Sequence, residues 1–388
     1  MKFKRIFLMV LDSLGVGESL DAINFGDNGS NTLGHIIENS DLFLPNLKKI
    51  GLLDTINMSE NDDVDAYYTT SKFINPGKDS LNGHYEMVGL KNDFAFKTFN
   101  QGFNYDILAG IEEITGRSVI GNYCCQDDSI IQELGERHIN YGSLIIYTSA
   151  DSDLQVAAHE DCIPIATLHE YCSKIRDLTN KMDCHIARII ARPFNGSTAG
   201  KYKFINSARK DFAVKPPKKT ILESLSENGY NVIGIGKIND IFDNVGINKT
   251  IKASNNNDAV NKLSDIIDKK FTGLCLINLS DFDLYGHRRD VEGYASCIEE
   301  LDVDIPIILN KLDLDDLLII TADHGNDPTF QGNDHTRENV PVIIYSRNFK
   351  EPKRLEPFDT LSNIGATIAD NFDLDKAEIG ESFLEKLS

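Results

Sequence analysis

"IITADHGNDPTFQGNDHTRE" spans Ile319 to Glu338. Leu317–Ile320 is a short apolar run. It stops where Asp323, His324, Asp327, Asp334, His335, Arg337 and Glu338 crowd into a few residues. A short apolar run closed by polar and glycine residues reads as a strand buried on both faces. The runs "RIFLMVLDS", "SLIIYTSADS", "NVIGIGKIND", "GLCLINLSDFD" and "VPVIIYS" have the same form. Helical patterns lie between them, at Asn31–Glu38, Asp258–Lys270, Gly293–Leu312 and Ile364–Asn371. This alternation predicts an α/β fold with a largely parallel sheet. In such sheets ligands bind beyond the carboxyl ends of the strands. Asp12, Asp281, Asp283, Asp323 and His324 all stand at ends of that kind, so one sheet edge gathers groups that are far apart in sequence.

The chain has 388 residues, long for a single core, so two domains or one domain with a large insertion are expected. The stretch from Phe94 to Lys218 is rich in Asn, Gly and Cys and closes on the linker-like "KPPKK". An inserted domain is placed there, at residues 94–218, with a core domain made of 1–93 and 219–388. The formal net charge is -21, which disfavours nucleic acid as a partner. The 7 cysteines include no C-x-x-C pair, as expected of reduced thiols in a cytoplasmic protein. The N-terminal apolar run, Ile6–Leu11, is too short for a signal-peptide core or a membrane span, and no other segment is long and apolar enough. A monomer without a membrane partner is expected.

Asp12, Asp283, His287, Asp323, His324 and His335 are the candidate metal ligands. Carboxylates and imidazoles together suit manganese, zinc or iron better than magnesium or calcium. Six ligands exceed the needs of one ion. Split into two sets of three, they would support a two-metal centre roughly 4 Å across, as in phosphoryl-transfer enzymes. A lone Asp after a strand is usually a turn or cap, and a lone His is usually no ligand. The joint pattern at three strand ends is what points to metal. In "NPGKDSLNGHYEMVG", Asn75–Gly89, Ser80 is flanked by Lys78 and Asp79 and by nearby glycines. Such a serine is either a helix N-cap or a nucleophile.

The set "VLDSLGVGE", "GKDSLNGHYE", "TSADSDLQVAAHE", "IARPF", "GKINDIF", "DFDLYGHRRD" and "TADHGNDPTFQGNDHTRE", in this order, resembles phosphopentomutases of the alkaline phosphatase superfamily. The resemblance spans nearly the whole chain. It implies a doubly wound core of alkaline phosphatase type with an inserted α+β cap, and two divalent ions, manganese by expectation. Asp12, Asp323 and His324 would hold one ion and Asp283, His287 and His335 the other. Ser80 would carry the phosphoryl group. Asp151, Arg192, Arg209 and Lys237 would face a pentose phosphate, and a sugar bisphosphate would act as activator. Guanidinium and ammonium groups suit phosphate oxygens.

Three departures stand out. The family carries threonine where Ser80 stands. Its Asp-to-His spacing is one residue longer than in "DFDLYGH", which leaves Asp281 as an alternative ligand to Asp283. Its Ala-Ser-Gly-Thr stretch is replaced by "YCCQDDS" after Gly121 and Asn122, which bears on the sugar. The expected activity is interconversion of ribose or deoxyribose 1-phosphate and 5-phosphate through phosphoserine and a bisphosphate. A metal-dependent phosphatase or phosphodiesterase, a mutase for another sugar phosphate, and a non-catalytic metal-binding relic are the alternatives.

Overall fold

The computed structural model describes every residue except 62 and 126. The chain divides into two compact units, Met1–Ala95 with Pro216–Ser388, and Phe96–Lys215.

In the first unit seven strands form one sheet, in the order Lys249–Ile251, Asn231–Ile235, Gly273–Leu279, Arg5–Leu11, Asp316–Thr321, Val340–Tyr345 and Tyr67–Ser71. The first five are mutually parallel. Val340–Tyr345 runs antiparallel to both of its neighbours. Every residue of the Arg5–Leu11, Gly273–Leu279 and Asp316–Thr321 strands is buried, as expected of strands covered on both faces. The protein is thus α/β with a largely parallel sheet.

The helices begin where local chemistry lets them. Asn31 accepts from the Gly34 amide and caps Thr32–Glu38. Asn255 caps Asn256–Ile267, which shifts that helix towards the N-terminus of the expected Asp258–Lys270. Asp290 caps Val291–Lys311. Among the described residues no helix is long and apolar enough to cross a membrane.

The second unit holds a mixed sheet, Val119–Cys124, Leu144–Thr148, Asp153–His159, Arg188–Asn195 and Lys203–Phe204, with Lys210–Ala213 also paired to Arg188–Asn195. The helices Tyr105–Thr115 and Ile165–Lys181 pack their apolar sides on it through Ile107, Ile111, Leu168 and Ile175. The run "SLIIYTSADS" therefore belongs to this second sheet and not to the core sheet. A continuous apolar run reports burial on both faces and carries no mark of which sheet it joins. Of the stretch 121–129, residue 126 lies outside the described residues.

One buried contact fixes the central register. Arg5 stands opposite Asp316 in the parallel pair. Its Nε and Nη2 donate to the two Asp316 oxygens at 2.7 and 2.6 Å, and Nη1 donates to the carbonyls of Ile267 and Lys269, each at 2.7 Å. This pair sits at the opposite end of the strands from Asp12 and Asp323 and sets their relative height. Arg5→Leu is expected to cost about 3–5 kcal/mol, because Asp316 is then left buried and unpaired. Urea unfolding should show the loss as a lower midpoint. Arg5→Leu combined with Asp316→Leu should recover much of it.

Candidate metal centre and nucleophile

Asp12 follows the central strand directly, and its amide donates to Leu279 O at 3.3 Å. Ser13, next in the chain, has φ 78°, a left-handed conformation that costs a residue with a Cβ. This bend brings the Ser13 amide to Asp323 Oδ1 at 3.0 Å and its hydroxyl to Tyr294 Oη at 3.2 Å. Asp12 and Asp323 thus meet across adjacent strands. The ligand atoms of Asp12, Asp323 and His324 all lie within 4.8 Å of one another, and all three residues are buried.

The second set assembles on the Asp281–Arg288 helix and the loop before Val340. Asp283 and His287 share a helix face, one turn apart. His287 Nε2 lies 3.3 Å from Asp283 Oδ2, His335 Nε2 3.3 Å from Asp283 Oδ1, and the two Nε2 atoms 3.0 Å from each other. His324 lies between the sets, with its ring centroid 4.0 Å from that of His335. Asp281 does not join them. It accepts from the Asn256 amide at 2.8 Å, and its own amide donates back to Asn256 Oδ1, which leaves Asp283 as the carboxylate at the site.

The imidazoles present the correct nitrogen for a metal. His287 Nδ1 donates to Asn333 O at 2.7 Å and His324 Nδ1 to Gly325 O at 3.1 Å, so each Nε2 points inward. Both oxygens of Asp12 are buried without a hydrogen-bond partner among the described residues. Burial, together with Asp323 and Asp283, pushes the Asp12 carboxyl up to about 7. For Asp323 burial also works upward, yet His324 and His84 outweigh it and hold this group at about 2. Burial opposes the charged form of His324, but Asp323, Asp283 and Asp12 raise it to about 9. Against its burial, His287 and His335 hold Asp283 well below the usual carboxylate range. So many buried carboxylates with orphaned oxygens call for a cation, and the mixed N and O donors fit a divalent transition ion.

Ser80 opens the helix Ser80–Met87, but Asp79 is the cap: its side chain accepts from the Asn82 amide at 3.0 Å. The serine hydroxyl is therefore not needed for capping. Its Oγ lies 3.1 Å from His324 Nε2. A Cβ at Gly83 would overlap the carbonyl oxygen of Asp323, so only glycine lets this helix approach so closely. Lys237 Nζ lies 3.7 Å from Asp12 Oδ2, beside the first set.

The remaining expected residues lie in the second unit. Asp151 Oδ2 accepts from Arg188 Nη2 at 2.6 Å. The Arg192 guanidinium stacks 4.0 Å from the Phe204 ring centroid, and its Nε has no hydrogen-bond partner among the described residues. Arg209 donates through Nε and Nη2 to both oxygens of Asp211, each at 2.8 Å, so its fork is already occupied by a carboxylate.

Several positioning residues escaped sequence reasoning. His84 Nδ1 is 2.8 Å from Ser80 O and 3.1 Å from Asp323 Oδ2, and its spacing of four from Ser80 was the available signal. Arg337 is 2% exposed, and it donates to the carbonyls of Phe73, Asn75 and Gly77, the loop that leads into Ser80. Glu338, fully buried, accepts from Thr32, Thr336 and the Gly17 amide. Asn326 Nδ2 donates to Asp283 Oδ1 at 2.9 Å.

Residues 4–376 match the metalloenzyme superfamily, and the chain belongs to that family. Among solved structures, it is similar to the PH0037 protein of Pyrococcus horikoshii at 14% identity, over 98% of this chain and 100% of that one, with a TM-score of 0.51. Phosphoglycerate mutase of Leishmania mexicana aligns at 14% identity over 98% of this chain and 97% of that one, with a TM-score of 0.46. A Vibrio parahaemolyticus protein in the alkaline phosphatase superfamily aligns at 11% identity over 99% of this chain and 70% of that one, also at 0.46. At such identities the likeness is one of fold.

Metal uptake should depend on pH with a defined sign. Near neutrality His324 holds a proton, and Asp12, at about 7, is partly protonated. A divalent ion must displace these protons. Manganese binding is therefore expected to release protons and to tighten as pH rises, levelling off above about 9. Calorimetry in buffers of different ionisation enthalpy reads the release directly. Asp323→Asn should weaken binding by more than the roughly 10–100-fold that loss of an outer partner costs.

Proposed function

We propose that this metalloenzyme is a phosphomutase. It interconverts ribose or deoxyribose 1-phosphate and the 5-phosphate, with Ser80 as the residue that carries the phosphoryl group. The observation that carries this reading is the uncapping Ser80 hydroxyl, 3.1 Å from His324 at the edge of the first ligand set. The motif resemblance across the chain supports the pentose as substrate. Asp12, Asp323 and His324 would hold one divalent ion, and Asp283, His287 and His335 the other. Bound ions would supply Lewis-acid stabilisation of charge on the serine oxygen and on the transferring group.

Phosphoserine at position 80 donates its phosphoryl group to the free hydroxyl of the bound sugar phosphate, giving a bisphosphate. The bisphosphate reorients, and the Ser80 oxygen accepts the other phosphoryl group, so phosphate is conserved over the cycle. A sugar bisphosphate primes the unphosphorylated enzyme. Arg192, Arg209 and Lys237 are proposed to hold the distal phosphate, and Asp151 the sugar hydroxyls. Arg192 is the strongest of these, because its Nε has no hydrogen-bond partner among the described residues. For Arg209 the role requires release from Asp211. Holding the sugar is what lets its hydroxyl outcompete water.

With manganese and a trace of ribose bisphosphate, phosphorus NMR is expected to show ribose 1-phosphate turning into ribose 5-phosphate with little free phosphate. Ser80→Ala should abolish turnover while metal binding persists, and Ser80→Thr should keep substantial activity. Arg192→Ala should slow isomerisation by about 10²-fold and raise the share of phosphate lost to water. Inorganic phosphate as the main product, with no isomer from any pentose phosphate, would replace the mutase with a hydrolase using the same centre.

A further inference from the structure

Arg289 ends the Asp281–Arg288 helix in a left-handed conformation, with φ 55°. Such a backbone is strained for a non-glycine residue, so the side chain must return something. Its guanidinium makes five donations. Nε reaches Gly332 O at 2.6 Å. Nη1 reaches Gly286 O at 2.8 Å, Asn326 Oδ1 at 2.6 Å and Asp327 O at 3.2 Å. Nη2 reaches Asp334 O at 2.9 Å. Only the Gly286 contact is a capping bond within the helix; the other four reach across to the 326–334 loop.

Three of those four contacts lead to ligands of the second set. Because Asn326 Oδ1 accepts from Arg289, its amide must turn Nδ2 the other way, and Nδ2 donates to Asp283 Oδ1. The carbonyls of Gly332 and Asp334 are held on either side of Asn333, whose own carbonyl accepts from His287 Nδ1 and so fixes that ring's tautomer. The Asp334 carbonyl belongs to the peptide that continues into His335. One planar fork thus locks a carboxylate, an imidazole orientation and the backbone of a third ligand. None of its hydrogen bonds among the described residues goes to Asp12, Asp323 or His324.

We propose that Arg289 is the positioning residue of the second ligand set: it holds Asp283, His287 and His335 at ion-binding spacing and makes occupancy of that site separable from the first. The proposal rests on the two-ion reading above. It makes a prediction opposite in sign to simple electrostatics. Deleting a nearby cation should tighten the binding of a divalent ion through Coulomb's law, whereas deleting a positioning fork should weaken it.

The test is a manganese titration by calorimetry, with electron paramagnetic resonance to count bound ions. Glycine accepts the left-handed backbone without strain, so Arg289→Gly removes the fork and spares the fold. Wild type should bind two ions. Arg289→Gly should bind one with wild-type affinity and the second at least tenfold more weakly, with added guanidinium ion restoring the second step. Combining it with His287→Ala should add little further loss, since both act on one site. Arg288→Ala, which removes the neighbouring exposed arginine, should leave both affinities unchanged or tighter. Should Arg289→Gly fail to fold, Arg289→Lys keeps the charge without the fork and is expected to show the same weakening. Two ions bound with unchanged or higher affinity in the folded variant would overturn the role of Arg289 and leave the two-ion reading intact. Fewer than two ions in wild type would bring down both.

Discussion

Asp12, Asp283 and Asp323 are buried together, and the remainder of the site follows from that. The parallel register sets Leu11 opposite Leu279 and Val10 opposite Thr321, so the carboxylates that follow come out at one level. At effective interior dielectrics, neighbouring like charges of this kind repel by several kcal/mol. The protein answers with imidazoles. His324 is driven towards its charged form by three carboxylates, while His287 and His335 hold Asp283 ionised. The His287 and His324 rings face inward because carbonyls take their Nδ1 protons. The strained Ser13 backbone and the glycine at 83 are the geometric cost of closing the cluster on the serine helix. A cation in place of the protons would relieve the repulsion, which is the sense in which the fold is built for metal.

The crowding of ionisable groups in Ile319–Glu338 now divides into two kinds of work. Asp323, His324 and His335 face the centre. Asp327 accepts from the Asn31 amide and from His35, Arg337 holds the loop before Ser80, and Glu338 ties Thr32 and Thr336 together. Three of the seven ionisable residues in that stretch, Asp327, Arg337 and Glu338, therefore hold the frame, and they are buried as completely as the ligand candidates.

The α/β class and the position of the site were legible, because a short apolar run ending in Asp is a local signal and the C-terminal edge of a parallel sheet is a general one. Asp12, Asp323 and His324 could be picked out on that basis alone. The strand Tyr67–Ser71 was not seen: "YYTTS" alternates weakly and is ordered by pairing with Val340–Tyr345. The run "SLIIYTSADS" gave no sign of its sheet partners either, since sheet membership is a matter of long-range pairing. The choice between Asp281 and Asp283 was open in the sequence because both sit in the first turn of one helix. In the structure Asp281 is engaged by Asn256, a partner 25 residues away, while Asp283 faces His287 and His335. Arg289 and Arg337 had no local signature, because most of what they bind lies in segments distant in sequence.

The placement of Arg5–Leu11 has a consequence for how the chain comes to be folded at all. This strand is synthesised before the rest of its sheet, yet both of its neighbours, Gly273–Leu279 and Asp316–Thr321, follow it far along the chain. Until they emerge, a fully apolar strand has two unmet edges, while residues 96–215 are already complete enough to collapse as a unit of their own. Vectorial synthesis thus leaves the most aggregation-prone segment waiting longest. The full ligand set cannot close on an ion early either, since Asp12 is made long before His335. Capture of an ion by all six candidates must follow closure of the sheet.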